Sequence, residues 1–110
     1  MTYKVLAIPP FDRQLKRLAK KYPSLKSEFS DLIENLEKEP KSGTYIGNGC
    51  FKIRLAIASK GKGKSGGVRV ITNFVIDEST IFLISIYDKS EKENLTTREL
   101  SDLLRQVPFQ

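Results

Sequence analysis

Lys52 and Arg54 stand two residues apart in a segment that alternates apolar and polar side chains, so both cations project from one face of a strand. Burying such a pair would be very costly, so that face must be open to solvent or turned to a ligand. Arg69 starts the next strand and can lie beside the pair once the two strands run antiparallel. Tyr87 and Lys89 end the strand after that. Lys52, Arg54, Arg69, Tyr87 and Lys89 can therefore gather around one concave patch. The plainer readings are a strand-end core aromatic for Tyr87 and an ordinary surface lysine for Lys89.

Such a set suits cleavage of RNA by its own 2′-hydroxyl. That reaction needs a base, stabilisation of the charge building on phosphorus, and an acid for the departing 5′-oxygen. Histidine is absent from the chain, so the base must be a lysine, a tyrosine or a carboxylate. Arginines beside a lysine favour its neutral, basic form through like-charge repulsion. Arginine itself stays charged and can only stabilise. The chemistry is permitted by these residues rather than demanded by them.

Between the first two of these strands runs Ser59-Lys60-Gly61-Lys62-Gly63-Lys64-Ser65-Gly66-Gly67. Its glycines free the backbone, and Lys60, Lys62 and Lys64 place charge on a mobile loop suited to RNA phosphates. A soluble basic loop is the bland alternative. It is not a Walker loop, because Gly67 occupies the position of the required lysine and a strand follows where a helix is needed. Lys92, just past the last strand, is a further candidate for RNA contact.

The elements that must hold these residues follow from periodicity. Thr2 to Ile8 reads as a first strand ended by Pro9-Pro10. Phe11, Leu15, Leu18, Ala19 and Tyr22 mark one helical face, and Leu25, Phe29, Leu32, Ile33 and Leu36 mark a second after Pro23. Together they predict a helical hairpin that covers a sheet. Cys50 to Ile57, Val68 to Ile76 and Thr80 to Tyr87 read as three strands, the last dense enough in apolar residues to be buried on both faces. A final helix starts at Thr96, where Glu99 completes a capping box. The predicted order is β-α-α-β-β-β-α: an α+β fold with a largely antiparallel twisted sheet, over a single domain of residues 1–110.

Charge sharpens the picture. Pro40 to Ile76 carries seven cations and no acid, while the whole chain has net charge +6, so the remainder sums to −1. Localised positive charge concentrates polyanions and speeds their encounter. No apolar run reaches the ~20 residues of a membrane span. Cys50 is the only cysteine, so no internal disulfide and no metal-ligand cluster is expected. A reducing cytoplasm is the expected location, and no cofactor is implied.

Phe51-Lys52-Ile53-Arg54, the run from Ala58 to Ile71, and Ile86-Tyr87-Asp88-Lys89-Ser90-Glu91 resemble the RelE/HigB branch of the RelE/ParE toxin superfamily. The element order fits over the whole chain, and the lysine-glycine run closing on Arg69 is specific to HigB-like members. The resemblance implies a toxin of a type II toxin–antitoxin pair, an mRNA interferase that cuts mRNA in the ribosomal A site. It implies a cognate antitoxin as partner, with DNA contacted only through that antitoxin. Lys52 falls at a base or phosphate-binding position, Arg54 at a second basic strand position, and Arg69 at the charge-stabilising arginine. Lys89 falls where RelE has an arginine proposed as general acid. The chain departs from the pattern at Leu95, where RelE proteins carry a base-stacking tyrosine; Tyr87 is the available substitute. Two other classes fit less well: a ParE-like gyrase inhibitor, which typically lacks the full basic set, and a non-catalytic RNA-binding module.

Overall fold

The computed structural model describes residues 2–61 and 66–108. Strand β1 (Lys4–Ala7) turns directly into helix α1 (Pro9–Lys21). Pro9 and Pro10, read from the sequence as the stop of the strand, are instead the first residues of the helix. Proline costs nothing there, because first-turn N–H groups have no intrahelical acceptor and its fixed φ is already helical. Phe11 and Leu18 point into the core. Helix α2 (Leu25–Lys38) follows the turn at Tyr22-Pro23-Ser24 and buries Leu25, Leu32 and Leu36.

The second half holds β2 (Thr44–Gly47), β3 (Cys50–Leu55), β4 (Val68–Val75), β5 (Thr80–Asp88) and α3 (Thr97–Leu104). Strand β2 has no counterpart in the sequence reading. It is only four residues long and mostly exposed, so it carries no apolar alternation. Its existence rests on the return through Gly47, Asn48 and Gly49, which all take positive φ and let the chain fold back on β3.

The sheet order is β1-β5-β4-β3-β2. Only the β1–β5 pair is parallel; the others are antiparallel. Every residue of β5 is buried, in keeping with its dense apolar content. Strand β1 pairs only with Thr80 to Leu83. Beyond it α1 takes over the edge of β5, where Gln14 Oε1 accepts from the Ile86 N–H at 3.1 Å and from Ser85 Oγ at 3.2 Å. The α+β architecture is as predicted, with one more strand.

The register fixes which side chains share a face. Ile53, Val70 and Ile86 are paired across the three central strands, and so are their neighbours Arg54, Arg69 and Tyr87. Because side chains alternate, the first row faces the core and the second the opposite side. Helix α3 starts with a capping box, the Glu99 N–H donating to Thr96 Oγ1 at 3.0 Å and the Thr96 N–H to Glu99 Oε1 at 2.9 Å.

Candidate functional site

Arg54 lies opposite Arg69, and Arg69 opposite Tyr87, so one row of the sheet carries three of the five residues singled out for chemistry. Lys52 sits on the same face one pair along, opposite Ile71. Arg54 is exposed, as a cation on an unpaired face must be. Arg69 is not: it is 4 % exposed and lies within the sheet, with Nη1 3.4 Å from the Val68 carbonyl oxygen that it donates to. The sequence argument required an open face at this point and missed that one cation of the row is enclosed.

Beside the row lies a cleft of about 610 Å³ between the sheet and the segment leading into α3. Lys52, Ile71, Tyr87, Asn94, Leu95 and Leu100 are among the residues that line it. Lys52 Nζ donates to Asn94 Oδ1 at 3.0 Å, which points the ammonium toward the cleft wall. Tyr87 is 5 % exposed, and its hydroxyl has no hydrogen-bond partner among the described residues. Burial pushes its pKa up; the Arg69 guanidinium and the Leu95 amide, the latter outside good hydrogen-bond geometry, pull the other way. The sequence reading weighed a strand-end core aromatic for Tyr87, and the structure encloses its hydroxyl as well. Leu95 lines the same cleft, so the two positions weighed for an aromatic role in the sequence reading stand on one cleft.

Lys89 lies just beyond β5. Its N–H donates to the Gly67 carbonyl at 3.2 Å, and its ammonium is 3.4 Å from Glu93, four residues on. Lys92 pairs with Glu99 and helps line a smaller hollow of about 270 Å³ shared with Tyr87 and Leu95. Lys89, expected in the chemistry, and Lys92, expected to contact RNA, are therefore both engaged by carboxylates.

Lys60 departs most from expectation. It was placed on a mobile loop, yet its side chain is 6 % exposed and its ammonium lies 2.5 Å from Asp88, a carboxylate with no exposure at all. Asp88 also accepts from Tyr22 Oη at 2.5 Å, from Ser90 Oγ at 2.7 Å and from the Ser90 N–H at 2.9 Å. Burial alone would raise its pKa; the Lys60, Tyr22 and Ser90 hydrogen bonds win and hold it well below the usual carboxylate range. The backbone around Lys60 is equally fixed. The Ala58 N–H donates to Glu28 Oε2 at 2.6 Å, and the Ser59 N–H to Ser24 Oγ at 3.0 Å. The start of the basic linker is thus clamped to the turn between α1 and α2. Lys62 and Lys64 lie outside the described residues.

Sequence reasoning passed over Asp88. A signal was present, since a carboxylate closing a fully apolar strand must find cations or hydroxyls. Gly67 was read as a source of flexibility, but a Cβ there would stand 2.0 Å from the Leu55 carbonyl oxygen. It is glycine because β3 and β4 close against each other at that point. Cys50 is buried, with Asn73 Nδ2 3.5 Å from its sulfur, and burial pushes its thiol pKa up. Among the described residues no His, Cys, Asp or Glu group is arranged to hold a metal, and no helix is long and apolar enough to cross a membrane.

This architecture is that of the RelE toxins. A double arginine-to-alanine variant of the Escherichia coli toxin RelE in the free state superposes with a TM-score of 0.61 at 15% identity, over 97% of this chain and 99% of that one. The toxin–antitoxin complex RelBE2 from Mycobacterium tuberculosis gives 0.59 at 16% identity, over 80% of this chain and 99% of the other. The same E. coli variant bound to a peptide of the antitoxin RelB gives 0.55 at 20% identity, over 97% and 99%. The family model for the RelE toxin of the RelE/RelB toxin–antitoxin system matches residues 11–107, and the chain belongs to that family.

Proposed function

We propose that this protein is a ribosome-dependent mRNA endoribonuclease that blocks translation in the cytoplasm and is restrained by a cognate antitoxin. The observation that carries the reading is the row Arg54–Arg69–Tyr87 with Lys52 on the same sheet face, of which Lys52 and Tyr87 line a cleft of about 610 Å³. Its sheet-face placement suits a single RNA strand laid across β3, β4 and β5.

In this reading the 2′-hydroxyl of the nucleotide 5′ to the cut attacks the adjacent phosphorus. The O2′–P bond forms as the P–O5′ bond breaks, which leaves a 2′,3′-cyclic phosphate and a free 5′-hydroxyl. Arg69 and Arg54 neutralise the charge that accumulates on the phosphoryl oxygens. Lys52 and Tyr87, which line the cleft, and Lys89 just beyond β5 supply the groups from which base and acid are drawn. As proposed, the step calls on no metal, since both protons pass to and from side chains of the chain. The complexes of the M. tuberculosis and E. coli relatives with antitoxin support a partner that covers this chain. An acidic segment folding on the cationic face would neutralise it by charge and by bulk.

The test is cleavage of mRNA on programmed ribosomes by the purified protein, read by primer extension. Cuts are expected in the A-site codon and are strongly reduced by Arg69→Ala. Translation unaffected by the wild-type protein would sink the proposal, and inhibited supercoiling by gyrase would replace it with a different target.

A further inference from the structure

Among the described lysines singled out for chemistry or RNA contact, Lys52 alone is held by a neutral partner. Lys60 is paired with Asp88, Lys89 with Glu93 and Lys92 with Glu99. Lys52 Nζ instead donates to Asn94 Oδ1 at 3.0 Å. Its neighbours on the sheet face are Thr44 across on β2, Arg54 along β3 and Ile71 across on β4, with Arg69 on the diagonal. Among the described residues that line the cleft there is no Asp or Glu. An ammonium only donates, so the Asn94 amide must present its oxygen. That oxygen accepts from a charged amine and from a neutral one alike, so it orients Lys52 without fixing its charge. A carboxylate in its place would favour the ammonium and keep the lone pair from use.

We infer that Asn94 is a positioning residue, whose side-chain oxygen aims the Lys52 amine into the cleft. This rests on the nuclease reading, in which Lys52 is one of the groups that move a proton. The backbone delivers Asn94 to its place. Before it, Lys92 pairs with Glu99, the same residue that completes the cap of α3 at Thr96. After it, Leu95 packs against the core. The segment is pinned on both sides of Asn94, so its amide is a fixed post rather than a passing contact. Lysine has a long, flexible stem, and ordering it costs rotamer entropy. With β3 supplying the stem and the segment before α3 supplying the tether, that ordering is done before a strand of RNA arrives.

The test compares Asn94→Leu, which keeps the volume and removes the acceptor, with Asn94→Asp, which keeps the acceptor and adds charge. Single-turnover cleavage on programmed ribosomes should fall by roughly 10–100-fold in Asn94→Leu. The protein concentration giving half-maximal rate and the unfolding temperature should stay as in the wild type. Asn94→Asp should cleave slowly at neutral pH and recover as pH rises, because its carboxylate holds Lys52 protonated. In a Lys52→Ala background neither change should lower the residual rate further, since nothing remains to position. An unchanged rate in Asn94→Leu, or a loss that persists without Lys52, overturns the inference. Carbon NMR of labelled lysine reads the contact directly: the Lys52 amine should titrate at higher pH in Asn94→Asp than in the wild type. A Lys52 titration indifferent to residue 94 also overturns the inference. Wild-type protein that leaves mRNA uncut, while Lys52 still responds to residue 94, overturns the nuclease reading and leaves the tether standing.

Discussion

Arg69 and Tyr87 face each other across β4 and β5, and their enclosure decides what each substitution should do. A guanidinium that is 4 % exposed is already desolvated, so a phosphate reaching it would meet a strong, preorganised charge. Arg69→Ala is expected to lower the cleavage rate by about 10²–10³-fold, with Arg69→Lys recovering only part because the planar fork is lost. Tyr87→Phe removes a buried hydroxyl that bonds to nothing described, so it should leave stability unchanged or slightly raised. If that hydroxyl moves a proton, the same variant loses roughly 10²-fold or more in single-turnover cleavage. Full activity in Tyr87→Phe would reduce Tyr87 to a packing residue. Asp88 belongs to a different kind of residue: it holds Lys60, Tyr22 and Ser90 together from a site without solvent. Asp88→Asn strands the Lys60 ammonium and should cost about 3–5 kcal/mol in urea unfolding.

At the level of elements, two local devices keep the site's walls in place. The Thr96–Glu99 capping box fixes where α3 begins, and with it the position of Leu100 on the cleft. Thr96→Ala should cost about 1 kcal/mol and loosen that wall, seen as faster amide exchange in residues 97–104. Gly67 is the second device. Gly67→Ala drives a methyl group into the Leu55 carbonyl, so β3 and β4 must part at the end where Arg54 meets Arg69. A cost of about 1–3 kcal/mol is expected, with a larger proportional loss of cleavage than of stability. A glycine needed only for loop mobility would instead tolerate alanine without loss.

Across the whole molecule, acid should unfold this protein through Asp88. Its folded pKa is depressed, so its contribution is present in full above the unfolded aspartate value of about 3.9 and is lost as pH falls below it. Unfolding midpoints measured between pH 5 and pH 2 should fall steeply for the wild type and less so for Asp88→Asn. Equal slopes would show that other carboxylates dominate. The charge layout is likewise a property of the whole. The linker, the sheet face and α1 present cations on separate elements, while acids at the end of β5 and beyond it hold several of the chain's cations: Arg17 and Lys21 to Glu91, Lys60 to Asp88, Lys89 to Glu93 and Lys92 to Glu99.

Read alone, the sequence determined the helical hairpin, the capped final helix and the buried last strand, because periodicity and capping are local and survive without knowledge of neighbours. It also determined that Lys52, Arg54, Arg69 and Tyr87 share a neighbourhood, since antiparallel pairing follows from strand order. Only the tertiary structure decided which cations of that neighbourhood remain free. Lys60 and Asp88 are 28 residues apart, and nothing local tells a lysine on a glycine linker that a buried carboxylate waits for it. Strand β2 escaped for a related reason: its four residues have too little apolar pattern to register, and only pairing with β3 makes them a strand. Whether Arg69 is enclosed and Arg54 open depends on packing between distant segments, which is a long-range quantity that residue type and spacing do not contain.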